Sequence, residues 1–285
     1  MSTPVLAEVR SRLGQALFER VAGTDGPARR DRIAYAPGPR WFEPDRPIRQ
    51  VHNDASMFVG GLRALLLQSL HPLAMAAVAA DSGYQGDPWG RLQRTSHFLA
   101  VTSFGSAEDA ESIVARVRAI HERVRGTTAD GRPYHAADPH LLRWVHVAEV
   151  DSFLLAHQRY GRQPLDAAGM DGYVADMAVV ARALGIDDPP TTVTELAEQL
   201  EGYRPELEGT PQAREAARFM LLSPPLPMVV RPAYGVLAAA SVALLPRWTR
   251  WPLRLPYLPL TEAVVVRSAG EALTRSIRWV MTAER

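Results

Sequence analysis

Apolar residues recur every three to four positions along most of this chain, and nowhere do they alternate with polar residues in the period of two that a half-buried strand requires. That periodicity predicts an all-α fold with no sheet of consequence. Helical segments are expected at roughly 4–21, 54–80, 89–103, 107–125, 138–159, 171–184, 193–202, 211–222, 232–244 and 261–282. Their starts carry capping signals: Ser106 precedes Ala-Glu-Asp, Asp138 precedes Pro139, and Thr194-Glu195 opens another segment. In S-L-H-P-L, Pro72 would kink a buried helix and free a backbone carbonyl near residue 68.

Between these segments, residues 23–50 are rich in Pro, Gly and Arg and are expected to form an ordered loop wrapping the body. Shorter turn-rich connections fall at 127–137 and 185–192. Four prolines in 246–259 forbid a long helix there, while its Trp, Tyr and Arg suit either an interface, including peripheral contact with a membrane, or a cover over the core. The expected organisation is a single globular domain over 1–285.

Composition removes whole classes of chemistry. With 47% apolar residues the chain can bury a sizeable core, and a formal charge of +1, with both signs interspersed, argues against nucleic acid as the main partner. The absence of cysteine excludes thiolate nucleophiles, iron–sulfur clusters, thiolate-ligated haem and cysteine zinc sites. There is no lysine either, so all 32 basic residues are arginine, which excludes Schiff-base chemistry and a Walker phosphate loop. The N-terminus breaks its apolar residues with Glu8, Arg10 and Arg12, unlike a signal peptide, and no charge-free run reaches the ~20 residues of a spanning helix. A cytoplasmic location is the expectation.

Histidine and carboxylate must then do any metal work. Ala110, Ile113, Val114, Val117, Ile120, His121 and Val124 form one helical stripe, so His121 is expected on a buried face, with Arg125 one turn on. A lone core histidine is more often a satisfied polar residue than a ligand. Arg91 and Thr95 stand in the same i, i+4 relation on the preceding helix, and a short turn around Gly105 makes the two helices antiparallel neighbours. His71, His135, His140, His146 and His157 each read, taken singly, as structural. No histidine has a glutamate three residues before it, against a ferritin-like di-iron site, and no His-Glu-x-x-His, Gly-x-Ser-x-Gly or Gly-x-Gly-x-x-Gly occurs. An all-α chain with a buried histidine and neighbouring arginines leaves haem, or nothing catalytic.

Five stretches in order, G-G-L-R-A-L-L-L-Q-S-L-H-P, D-P-W-G-R-L-Q-R-T, F-G, I-H-E-R-V-R-G and Y-H-A-A-D-P-H-L-L-R-W-V-H, resemble the MpaB oxygenase family, which includes the latex-clearing proteins. The likeness runs from about 44 to 160 and makes 51–160 the motif-bearing part, with 161–285 a helical C-terminal part. It implies haem b in a helical, globin-reminiscent core, with His121 as proximal iron ligand, Arg125 as its support, and Arg91 and Thr95 as the distal pair. Arg91 or Arg94 would stabilise bound oxygen or pair with a haem propionate, with Thr95 holding a hydrogen bond, which makes Arg91, Arg94 and Thr95 the catalytic candidates; Arg94 stands where the rubber enzymes carry lysine, and the glutamate base those enzymes hold upstream of the distal motif has no counterpart, since residues 64–90 contain only Asp81 and Asp87 as acids. The implied function is a haem-dependent oxygenase that activates O₂ to oxygenate or cleave a C=C bond of an apolar, isoprenoid or lipid-like substrate. The alternative is a non-catalytic helical protein that binds haem or a lipid.

Overall fold

The computed structural model describes residues 3–23, 25–82 and 86–281. Seven helices lead the chain: α1 (Thr3–Ala22), α2 (Gly26–Tyr35), α3 (Pro47–His52), α4 (Met57–Gln68), α5 (Pro72–Ser82), α6 (Pro88–Phe104) and α7 (Ala107–His121). A hairpin of β1 (Arg125–Thr127) and β2 (Pro133–His135) follows, then α8 (Pro139–Tyr160), α9 (Ala167–Leu184), α10 (Val193–Gly202), a 3₁₀ turn at Arg204–Glu206, α11 (Pro211–Leu222) and α12 (Arg231–Ala243). Two short turns, α13 (Arg247–Arg250) and α14 (Pro259–Thr261), precede α15 (Arg267–Met281). The all-α expectation holds, with one small antiparallel hairpin as the exception among the described residues.

Helix starts are fixed by side chains that accept from orphan backbone N–H groups: Asp87 from Gly90, Ser106 from Asp109, Asp138 from His140 and Thr210 from Ala213. The core centres on α4 and α8. Leu66, Leu67, Trp144, Val147 and Val150 are fully buried there, with Tyr173 and Val174 joining from α9. Gly60 lets the two helices approach, because a Cβ at that position would stand 2.7 Å from the Phe153 ring and 3.1 Å from its backbone. Arg63, also on α4, is buried to 1% exposure yet fully paired: its guanidinium meets Asp151 at 2.7 Å and donates to Ser152 Oγ at 2.6 Å and to the Leu244 carbonyl at 2.9 Å.

Two sequence expectations are corrected, and a third, the kink at Pro72, is borne out. The segment 23–50 is not a wrapping loop throughout, since it holds α2 and α3. Pro27 occupies the first turn of α2, where it is tolerated, and Arg40 donates to the terminal carbonyls of Ile33 and Ala34, each at 3.0 Å, closing the helix from outside. The segment 54–80 is two helices bent by 108° at Pro72. The helix expected over 107–125 ends at His121, because the next residues pair as a strand, with Arg125 opposite His135 and Gly131 at φ +88° turning the hairpin. No single described helix is long and apolar enough to cross a membrane. The 246–259 segment carries the short α13 and ends where α14 begins, leaving Trp251 at 90% exposure while Arg250 is buried against Glu262 at 3.1 Å.

Candidate functional site

Helices α6 and α7 pack against each other and are joined by Gly105 and Ser106, forming an antiparallel hairpin. His97, midway along α6, feels the charges of Asp109 and Arg116 on α7, as that arrangement requires. Arg91 lies in the first turn of α6 and His121 is the last residue of α7. Thr95 stands one turn inward from Arg91. The stripe read from the sequence is the inward face of α7: Ala110 and Val114 are buried, and Ile113, Val117, Ile120 and His121 are half-buried between exposed neighbours.

Two of the anticipated residues fall differently. Arg125 does not follow His121 on a helical face; it is exposed on β1, because the helix stops four residues earlier. Arg94 is 62% exposed and donates to Asp87 Oδ2 at 3.1 Å, so its guanidinium is engaged with the cap of its own helix. Thr95 is exposed, while Arg91 is half-buried. Among the described residues, one cavity of about 200 Å³ is lined by Asp54, His157 and Arg278, and another of about 410 Å³ by Trp41, Val114 and Arg118. Neither is lined by Arg91, Thr95 or His121.

A second constellation was not assembled by the sequence reading. His71 in the break between α4 and α5, His140 on the first turn of α8 and Glu206 at the end of the 3₁₀ turn each place a ligand atom within 4.8 Å of the others. The segment carrying Glu206 is tied there by Glu208 N, which donates to the Leu70 carbonyl at 2.8 Å. Three loops and termini far apart in sequence carry no common periodicity, which is why only the tertiary structure reveals them.

The interior holds further titratable groups. His146 on α8 is buried, and desolvation depresses its pKa to about 4. Three residues on, burial pushes Glu149 up to about 7. His52 is depressed to about 3 by the same cause, with its ring nitrogens 2.7 Å from Ser103 Oγ and 3.2 Å from Tyr173 Oη. At neutral pH the two imidazoles are therefore neutral.

Residues 49–279 match the family described as the catalytic domain of the ER-bound oxygenase mpaB/B′ and rubber oxygenase. Two proteins named as uncharacterized, Mb2261 of Mycobacterium bovis and Rv2237 of Mycobacterium tuberculosis, are each 31% identical to the chain over 110 residues. That stretch is 37% of this chain and 42% of each relative, so the chain spans less than half the length of the curated proteins it matches. No solved structure matches.

Proposed function

The chain belongs to the oxygenase family of mpaB and rubber oxygenase, and from that premise we propose that it is a haem-dependent oxygenase acting on an apolar, isoprenoid or lipid-like substrate. What supports the reading is the family match over residues 49–279, together with the packing of α6, which carries Arg91 and Thr95, against α7, which ends at His121.

The donor set fits haem b by its chemistry. A half-buried imidazole is a neutral nitrogen ligand, and His121 would hold the iron. Arginine has no lone pair to offer a metal, so Arg91 would serve as a donor, either to a propionate or to bound oxygen, and Thr95 would add a hydroxyl. Arg94 would fix the start of α6 through Asp87 and stay outside the reacting volume. Bound at this place, haem would supply the redox iron that activates O₂. Around it, the arginine and threonine would hold charge-assisted hydrogen bonds, and the apolar stripe of α7 would keep water from the iron side.

The test is O₂ uptake by protein purified with haem supplied, in the presence of isoprenoid substrates, with Arg91→Ala and Thr95→Ala compared. Retained haem with slowed uptake supports the reading. A haem-bound wild type that consumes no O₂ with any apolar alkene would instead leave a carrier.

A further inference from the structure

The structure assigns a second inorganic site to this protein: we propose that His71, His140 and Glu206 bind a divalent first-row transition ion of the Zn²⁺/Fe²⁺ class, independently of the haem reading.

The first argument is proximity from three separate elements. One ligand atom from each residue lies within 4.8 Å of the other two. His140 Nε2 is 2.8 Å from Glu206 Oε2, and His71 Nε2 is 3.4 Å from the same oxygen. Ligand atoms about 2.1 Å from a tetrahedral ion stand about 3.4 Å apart, so the set closes round an ion with small rotations of the two exposed side chains.

The second argument is a buried, unsatisfied imidazole. His71 is 2% exposed, and neither ring nitrogen makes a hydrogen bond of acceptable geometry, despite the nearby carboxylate. Burying such a group without a partner is costly, and a metal ion bound to Nε2 removes half of that cost.

The third argument is the tautomer of His140. The Tyr203 hydroxyl donates to the His140 carbonyl at 2.8 Å, so its lone pairs are left to accept from Nδ1 of the same residue, 3.4 Å away. A proton on Nδ1 would leave the Nε2 lone pair facing Glu206, whose oxygens stand 3.0 and 2.8 Å away, whereas a proton on Nε2 would make that contact a hydrogen bond without a metal. With both Nε2 atoms unprotonated, their lone pairs and the Glu206 carboxylate would repel unless a cation sat among them. The Tyr203 and Trp144 rings wall the buried side, at 6.4 and 6.2 Å from the His71 ring. His140 and Glu206 are half-exposed, at 50% and 42%, which leaves a path for the ion and open positions for water. Two histidines and one carboxylate with open positions is the ligand set of His₂Glu zinc and of non-haem iron sites, and nitrogen with carboxylate disfavours Ca²⁺ and Mg²⁺.

The competing arrangement is a protonated His140 paired with Glu206 and no metal. Chelator-stripped protein should be titrated with Zn²⁺ by calorimetry, and with Co²⁺ while recording its visible d–d bands. The proposal expects one saturable Zn²⁺ per chain and Co²⁺ bands of a four- or five-coordinate site. His140→Ala and Glu206→Gln, both at half-exposed positions, should weaken Zn²⁺ by 100-fold or more, Tyr203→Phe by about 10-fold, and His121→Ala not at all. Absence of stoichiometric binding by the wild type, or wild-type affinity in the His140→Ala and Glu206→Gln variants, overturns it and leaves an imidazolium–carboxylate pair.

Discussion

Trp144 Nε1 donates to the carbonyl of Gln68 at 3.2 Å, across the interface between α8 and the end of α4. That carbonyl is the one Pro72 cannot serve, because proline has no N–H to continue the helix, and the backbone N of His71 shares it at 3.2 Å. The bend of 108° and the buried Trp144 are thus two halves of one solution. Trp144→Phe keeps most of the apolar area but removes the donor, and should cost about 0.5–1.5 kcal/mol beyond the volume change. Urea unfolding checks this; a loss near zero would mean that the His71 amide alone satisfies the carbonyl.

Arg63 joins α4 to α8 and to the end of α12 through Asp151, Ser152 and the Leu244 carbonyl. Arg63→Ala leaves those acceptors unpaired and should destabilise by about 3 kcal/mol, the lower end for a buried pair because Asp151 is partly exposed. Arg63→Met combined with Asp151→Leu should recover most of the loss, as measured by the denaturation midpoint.

Acid sensitivity should trace in part to His146. Its folded pKa of about 4 lies below the ordinary 6.5, so its contribution is fully present above pH 6.5 and is lost as pH falls through 4. The group is buried, and the shift corresponds to about 3 kcal/mol across that window. His146→Leu should flatten the stability profile between pH 6.5 and 4; an unchanged slope would assign acid unfolding elsewhere.

Glu149 acts in the opposite direction. Its folded pKa of about 7 lies above the ordinary 4.5, so its contribution is present below pH 4.5 and is lost as pH rises through 7. Because the residue is half-buried, Glu149→Gln should raise stability at pH 8 by no more than about 3 kcal/mol and leave it unchanged at pH 4. Thermal melts at the two pH values decide it.

What the sequence made legible was local. Helices at 193–202 and 211–222, the caps at Ser106 and Asp138, the break at Pro72 and the inward stripe of α7 all follow from spacing and backbone chemistry within a few residues. Helix α2 was hidden by the prolines and glycines that flank it, and its end is satisfied by Arg40 from outside the helix. The strand after His121 was hidden because β1 acquires its pairing only from β2 across a turn. Of the candidate site, the sequence anticipated that α6 and α7 are neighbouring helices joined at Gly105. It could not join His71 and His140 to Glu206, since that contact exists only after three distant segments meet.

The central claim is that His121 holds haem. The most direct measurement is the Soret absorbance and haem-to-protein ratio of the wild type and His121→Ala, each prepared with haem supplied and checked for helicity by circular dichroism. The account predicts a Soret band in the wild type, retained by His135→Ala and His140→Ala, and its loss in His121→Ala with the helical signal intact. A His121→Ala protein with the wild-type Soret band and haem stoichiometry would contradict it.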